Sequence, residues 1–183
     1  MDDARKPRPP KIPPKDYIDA VDVPREVTMR PIGWVRSPFT ERFGTPRQAR
    51  RTPPGNDPLG QESLDARVEL WPDRVQPEAL RHLEQFDHLW LVTWFHLNGP
   101  LRKPMVRPPR GGPLRGVLAT RAPHRPNPIG LSAVELLRVE GRVLHVRGVD
   151  LLDRTPVLDL KPYISDYDAI PDASRGWLTP PEP

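Results

Sequence analysis

The chain has 183 residues, of which 28 are proline and none is cysteine, and its 28 Lys+Arg against 24 Asp+Glu give a formal net charge of +4. This length favours a single domain, and the absence of cysteine excludes disulfides, iron–sulfur clusters and cysteine nucleophiles. Residues 1–6 lack the apolar core of a signal peptide, and no apolar run reaches the roughly 18 residues of a membrane-spanning helix. We therefore expect a cytoplasmic protein without a membrane segment.

Proline dominates the N-terminal segment, residues 1–27. Six prolines there oppose regular helix and sheet and favour extended, solvated backbone, so the segment is predicted to be a tail, with a proline-rich docking peptide as the functional alternative. Residues 171–183 are predicted to form a second loose end in which Trp177 is a candidate anchor. The folded domain is then expected to span residues 28–170.

Between these ends the sequence is typical of short strands. The predicted strands are rich in Val, Leu and aromatic residues and cover residues 29–35, 66–71, 88–95, 116–120, 132–139, 143–149 and 157–160. One helix is predicted from Pro77, because Leu80 and Leu83 lie three residues apart on one face. Glu140-Gly141 is typical of a tight antiparallel hairpin. Six or seven strands with few helices predict an all-β, mainly antiparallel small barrel, since closure removes exposed strand edges.

The predicted strand at residues 88–95 carries a row of aromatic side chains. A period of two places on one face the side chains that could form an aromatic wall for a nucleobase or a cation: His88, Trp90, Val92, Trp94 and His96. The alternative is a core strand whose histidines are satisfied by their neighbours.

Positive charge is concentrated in one block. No Asp or Glu occurs between His88 and Val134. The block contains seven cations: Arg102, Lys103, Arg107, Arg110, Arg115, Arg121 and Arg125. Prolines and glycines make its first half a loop whose arginines suit phosphate contacts with RNA, and a solvated loop is the plain alternative. A polyanion is therefore a candidate partner.

The usual catalytic fingerprints are missing. The sequence has no G-x-x-x-x-G-K-[ST] or G-x-G-x-x-G phosphate loop, no H-E-x-x-H metal motif and no G-x-S-x-G elbow. The five histidines form no tight cluster with carboxylates, so no metal site is predicted. Rossmann-type cofactor binding, zinc hydrolysis and serine hydrolysis are all disfavoured.

Residues 119–132 are the most informative segment for predicting function. Its three closely spaced prolines are predicted to stiffen an extended loop that displays Arg121, Arg125 and Asn127. Rigid display of hydrogen-bond donors suits recognition, and termination of a strand would need only one proline.

Five strings, read together, carry a family resemblance. In chain order they are IGWVRSPF, GTPRQ, FDHLWLVTWFH, GVLATRAPHRPNPIGLSAVEL and GVDLLDRTPVLDLKPY, and the match covers about residues 29–168. The chain resembles the TsaA-like (TrmO) family of S-adenosylmethionine-dependent tRNA methyltransferases. The resemblance implies a single-sheet β-barrel, a homodimer, and methylation at N6 of the threonylcarbamoyladenosine beside the anticodon, position 37 of certain tRNAs.

The resemblance also implies roles for individual residues. The cofactor-binding positions are Pro46, Arg47, Gln48, His96, Arg121, Leu131 and Asp150. The resemblance assigns Arg125, Asn127, Asp159, Lys161 and Tyr163 to substrate placement or to shaping the site. Arg107 and Arg110 are further substrate-binding candidates, taken from the basic block and not from the resemblance. Asp159 and Lys161 share a predicted strand face and could simply pair. Arg154 stands where the family usually has glycine, a position at which a turn could require positive φ.

Methylation of an adenine N6 requires an acceptor for its proton, because the amine lone pair is delocalised into the ring. The candidate acceptors are Asp150, Asp159 and His96. Two alternatives stay open: a methyltransferase of the same fold acting on another RNA or on an adenine-containing small molecule, and a non-catalytic RNA-binding adaptor.

Overall fold

The strands of the protein form a closed barrel and a separate short hairpin. A computed structural model describes residues 25–41, 65–108 and 111–178. Its strands are β1 (Gly33–Arg36), β2 (Asp65–Leu70), β3 (His88–Trp94), β4 (Met105–Val106), β5 (Arg115–Gly116), β6 (Ile129–Glu140), β7 (Val143–Arg147) and β8 (Pro156–Pro162). Six of them close the barrel in the order β1-β2-β7-β6-β3-β8, and every neighbouring pair is antiparallel. The predicted small antiparallel barrel is confirmed.

Aliphatic side chains that alternate along the strands fill the interior of the barrel. On β3, Leu89 and Leu91 are fully buried, while the residues on either side of them lie half-buried on the outer face. Val68, Val134 and Val146 are fully buried from three other strands. Burial of one such side chain contributes roughly 1.5–3 kcal/mol, so the alternation determines which face of each strand turns inward.

Strand direction divides the barrel into two ends. β1, β3 and β7 finish at the end where β2, β6 and β8 begin; this loop end carries residues 37–41, 95–128 and 148–155. The opposite end is the hairpin end, where β6 and β7 are joined by a tight turn. Gly141 has a φ of 60° in that turn, and the predicted hairpin is confirmed.

The predicted helix after residue 76 is wrong in type. The chain forms two 3₁₀ turns, Pro77–Leu80 and Leu83–Gln85, instead of one α-helix. His82 lies between them with a φ of 68°, a left-handed conformation that interrupts helical backbone. The only α-helix within the described residues is α1 (Ser165–Asp168), a single turn.

The predicted strand at residues 116–120 is also wrong in its extent. β5 ends at Gly116 and pairs only with β4, after which Val117–Ala119 forms a 3₁₀ turn. Val117 is buried, and its N–H donates to the Pro104 carbonyl at 2.8 Å, which turns the chain away from an extended path. In the part of the chain that the structure describes, no helix has the length and apolar character needed to cross a bilayer.

Candidate functional site

Asp150 is a partly buried carboxyl group at the loop end of the barrel. It lies between Val149 and Leu151, which are both buried, and the Ser132 hydroxyl donates to its Oδ1 at 3.0 Å. Burial raises the pKa of Asp150 above its ordinary value, against smaller opposing effects from the Ser132 hydrogen bond, a backbone hydrogen bond and the positive charge of Arg121. A carboxyl group in this environment exchanges its proton closer to neutral pH than an exposed one does.

The loop that carries Arg121 is braced by Arg125. Arg125 Nη1 donates to the Thr120 carbonyl at 2.7 Å and to two further carbonyls of the same loop at 3.3 and 3.4 Å. The Thr120 hydroxyl in turn donates to the Val117 carbonyl at 2.8 Å. Arg125, which is predicted to place substrate or to shape the site, thus bonds its own loop through one guanidinium nitrogen. Arg121 is exposed and lies close enough to affect Asp150 electrostatically.

The C-terminal 3₁₀ turn, Gly176–Leu178, packs against the same loop. Trp177 Nε1 donates to the Ala119 carbonyl at 2.8 Å, and the Arg115 guanidinium carbon lies 5.3 Å from the centre of the Trp177 ring. Cation–π contacts of this kind stabilise exposed sites modestly. Trp177 therefore anchors the end of the described chain beside the loop that carries Arg121.

Leu131 and Asp159 lie in one row across the outer wall. Val92 on β3 pairs with Leu131 on β6 and with Asp159 on β8. Leu131 is 60% exposed, which leaves an apolar side chain on the surface. Asp159 Oδ2 accepts a hydrogen bond from Lys161 Nζ at 2.8 Å, so the pairing that their shared face suggested is present.

His96 lies outside the strand in which the predicted aromatic row placed it. β3 ends at Trp94, and the His96 N–H donates to the Trp94 carbonyl at 2.8 Å, so the chain turns and exposes the histidine at the loop end. The other members of the row, His88, Trp90, Val92 and Trp94, share the half-buried outer face of β3.

Lys161 and Tyr163 lie toward the hairpin end. The Tyr163 N–H donates at 2.9 Å to the carbonyl of His88, the first residue of β3, and the Tyr163 ring packs against Trp90 with centroids 5.3 Å apart. Since Asp150 lies at the other end, one chain does not bring these two predicted substrate residues together with it.

The remaining predicted substrate residues lie in loops. Arg107 Nη1 donates to the Gly112 carbonyl at 2.7 Å, and Asn127 is exposed. Four predicted site residues lie outside the described part of the chain: Pro46, Arg47, Gln48 and Arg110. Among the described residues, no group of three or more His, Cys, Asp or Glu could hold a metal ion.

A groove of about 480 Å³ lies on the outer wall of β1, β2, β6 and β7. Most of its charged groups form ion pairs: Arg36 Nε lies 3.0 Å from Asp153 Oδ1, and Arg138 Nε lies 2.6 Å from Glu140 Oε1. Because these charges compensate one another, the groove offers little net attraction to an anion. The groove reaches the loop end at Ser37 and Asp153, and the region around Asp150 and Arg121 is the stronger candidate site.

The sequence matches one protein family over most of its length. Residues 34–169 match the family described as tRNA-methyltransferase O N-terminal domain, TrmO_N. The chain belongs to the TrmO family. The resemblance seen in the sequence strings is confirmed, and it accounts for a methyltransferase-like sequence without a Rossmann fingerprint.

Three named proteins similar to this chain are longer than it is. An Escherichia coli protein named tRNA (adenine(37)-N6)-methyltransferase is 44% identical over 154 residues, a match covering 80% of this chain and 61% of that protein. The Homo sapiens protein of the same name is 43% identical over 142 residues, covering 76% and 30%. The crystal structure of TrmO from Pseudomonas aeruginosa matches with a TM-score of 0.66 at 41% identity, covering 85% of this chain and 64% of that one. The chain thus spans less than two thirds of the length of these proteins.

Two residues at the loop end were not among the site residues predicted from the sequence. Ser132 bonds Asp150, and Asp153 bonds Arg36. Ser132 pairs with the buried Leu91, so an inward-facing hydroxyl in an otherwise aliphatic row was the signal that could have identified it. Asp153 carried no comparable signal, because an acidic residue in a loop is common.

Proposed function

We propose that this protein is an S-adenosylmethionine-dependent tRNA methyltransferase that methylates N6 of threonylcarbamoyladenosine at position 37. The observation that carries the proposal is the partly buried Asp150 carboxyl group beside Arg121, at the loop end of a TrmO-family barrel. The printed names of the Escherichia coli and Homo sapiens relatives support adenine-37 of tRNA as the target.

Residues beside Asp150 and on the outer wall of β3 and β6 fit the proposed cofactor. Arg121 presents an exposed guanidinium group, whose planar donors suit the carboxylate of an amino-acid moiety. Leu131 and Val92 supply apolar surface for a planar base. We expect His96 and residues 46–48 to complete the cofactor site. When bound, S-adenosylmethionine supplies a methyl group carried on a positively charged sulfur.

Asp150 is the group assigned to proton acceptance. The adenine N6 loses a proton as it gains a methyl group, and a carboxylate with a raised pKa is a suitable acceptor near neutral pH. Asp159 is paired with Lys161, and His96 is exposed, so neither shares the buried environment that favours proton uptake. Ser132 donates to the Asp150 carboxylate and orients it.

The basic block is proposed to hold the tRNA. Arg102, Lys103 and Arg107 are exposed in the loop before and after β4. Contacts of such side chains with phosphates release counterions, so we expect tRNA affinity to fall as salt rises, with a slope that decreases by roughly 0.7–0.9 for each phosphate contact removed. An anticodon loop, whose bases can be splayed out of the stack, is the expected substrate.

A homodimer in the cytoplasm is the proposed working form. Leu97, Leu118 and Leu131 are 70%, 70% and 60% exposed, and all three lie at or near the loop end. Exposed apolar side chains that cluster near a site suit burial by a second chain. Light scattering on the purified protein should give twice the mass of the chain, and the mass of a single chain at micromolar concentration would contradict the dimer.

The function is tested with purified protein, S-adenosylmethionine and tRNA that carries unmethylated threonylcarbamoyladenosine at position 37. We expect mass spectrometry of the digested nucleosides to show the methylated threonylcarbamoyladenosine. The matched control is the same tRNA with unmodified adenosine at position 37, for which we expect no methyl transfer.

Calorimetric titration of S-adenosylmethionine separates the alternatives. Binding heat without methylation of either tRNA would contradict the tRNA assignment and favour another adenine-containing substrate. No binding heat from folded protein would contradict the enzyme altogether and favour an RNA-binding adaptor.

A further inference from the structure

We propose that Asp153 is a positioning residue: its carboxyl group holds the Asp150 loop, residues 148–155, against the segment that follows β1. The inference rests on the proposed function, in which Asp150 must be held in a fixed place. Asp153 itself is not assigned any contact with substrate or cofactor.

The side chain of Asp153 ties two segments that are far apart in sequence. Its Oδ1 accepts hydrogen bonds from Arg36 Nε at 3.0 Å and from the Ser37 N–H at 3.1 Å. The Arg36 guanidinium also lies 3.8 Å from Glu69, which holds it from the other side. The Asp153 side chain is 19% exposed, so water competes for these bonds less than at the surface ion pairs of the barrel.

Backbone bonds reinforce the same junction. The Asp153 N–H donates to the Phe39 carbonyl at 2.7 Å, and the N–H of the next residue donates to the Val35 carbonyl at 2.7 Å. The Ser37 hydroxyl donates at 2.7 Å to the carbonyl of Leu151, the neighbour of Asp150. Phe39 is 2% exposed, so the segment to which the loop is tied is itself fixed in the core.

Besides its backbone bonds and the Ser37 bond at Leu151, the Asp150 loop is held by side-chain contacts at Asp150 and at Asp153. Ser132 holds it at Asp150, and the bonds to Arg36 and Ser37 hold it at Asp153. Ser132 and Arg121 are the polar and charged groups that act on the Asp150 carboxyl group from the neighbouring elements. Release of the Asp153 anchor would let Asp150 move toward water, and a group that gains hydration returns toward its ordinary pKa.

The test compares Asp153→Ala with Asp153→Asn. Removal of the acceptor in Asp153→Ala should lower kcat/KM for methylation by about tenfold to a hundredfold, because a small misplacement of a reacting group has effects of that size. It should also move the acidic limb of the pH profile to lower pH. Asparagine keeps the acceptor oxygen and loses only the charge, so Asp153→Asn should restore activity to within about fivefold of the unmodified protein.

The matched control is Glu140→Ala. Glu140 also pairs with an arginine, Arg138, at 2.6 Å, but it lies at the hairpin end, away from the Asp150 loop. We expect its pH profile to be unchanged. If Asp153→Ala fails to fold, Ser37→Ala serves as the second variant, because it removes the bond to the Leu151 carbonyl and should shift the profile in the same direction by less.

Carboxyl NMR tests the role of Asp153 independently of whether the protein methylates tRNA. The pKa of Asp150 is measured directly in the unmodified protein and in both Asp153 variants, whether or not tRNA is methylated. We expect a raised pKa that falls in Asp153→Ala and recovers in Asp153→Asn. The positioning role would be overturned if folded Asp153→Ala protein had the same Asp150 pKa and pH profile as the unmodified protein. If the unmodified protein methylated no tRNA, that result would contradict only the proposed function.

Discussion

The pKa values of two carboxyl groups, one at each end of the barrel, are shifted in opposite directions. At the hairpin end, Glu140 is more than half exposed and lies 2.6 Å from Arg138 Nε and 3.0 Å from His145 Nε2, and these hydrogen bonds lower its pKa. At the loop end, burial raises the pKa of Asp150, and the hydroxyl of Ser132 is its closest side-chain donor. The comparison shows that a partnered surface carboxylate stays ionised, whereas a buried one can change its protonation state and serve chemistry.

Substitution of the partly buried carboxyl group at the loop end should reduce activity most strongly. Asp150→Asn keeps the shape and the Ser132 contact but cannot accept a proton, so we expect kcat for methyl transfer to fall by about 10²–10⁴-fold. Cofactor affinity should change much less, as measured by calorimetry. Glu140→Gln is the matched carboxyl-to-amide control and should keep full activity; equal losses in both variants would contradict the contrast between the two ends.

Asp150→Asn should also change how the free energy of unfolding depends on pH. Because the folded-state pKa of Asp150 is raised, its ionisation disfavours the fold as pH rises from the unfolded value of about 3.9 through the folded value. Asp150→Asn should therefore match the unmodified protein at low pH and gain in relative free energy of unfolding as pH rises. Urea titrations across this range measure the difference. A relative gain that grows as pH falls would mean that the pKa is lowered instead.

The next effect concerns the cation beside Asp150. Arg121→Ala should weaken S-adenosylmethionine binding by about tenfold to a hundredfold, since hydrogen bonds to charged groups contribute about 1.5–3 kcal/mol. The melting temperature should hardly change, because the side chain is exposed. Arg138→Ala, at the hairpin end, also removes an exposed arginine and should leave cofactor affinity unchanged in the same calorimetric assay.

A smaller effect tests the packing that supports the loop end. An added Cβ at Gly130 would overlap Thr93 Oγ1 and lie 2.7 Å from the Phe95 ring, so Gly130→Ala should destabilise the fold by about 1–3 kcal/mol. Gly99→Ala is the control, because a Cβ there meets nothing within 4 Å. Denaturant titration of both variants decides, and equal stabilities would show that the site at Gly130 relaxes freely.

The smallest effect is a gain. Arg154 has a φ of 62°, which favours glycine, so Arg154→Gly should raise the free energy of unfolding by up to about 1 kcal/mol. Arg154→Ala keeps the Cβ and should bring no such gain. Thermal and urea unfolding of the pair measure the difference, and a gain in Arg154→Ala as large as in Arg154→Gly would assign the effect to loss of charge.

Much of the barrel was predictable because its signals are local. The apolar alternation of β3 can be recognised from a few neighbouring residues, and so can the glycine of the β6–β7 turn. The strings of the TrmO family likewise named Asp150, Arg121 and Leu131 before any geometry was available. The prediction of a helix after residue 76 was wrong because the spacing of apolar residues does not reveal that His82 adopts a left-handed conformation.

Contacts between residues far apart in sequence could not be predicted before the fold was known. Ser132 contacts Asp150, and Asp153 contacts Arg36, which is 117 positions away in sequence. These contacts form because strand order and register place the start of β6 and the ends of β7 and β1 together at the loop end. The same register carries Tyr163 to the opposite end. Local patterns determine that a segment is a strand and which face turns inward; they do not determine its neighbours around a closed wall, which depend on how all six strands bury their apolar faces together.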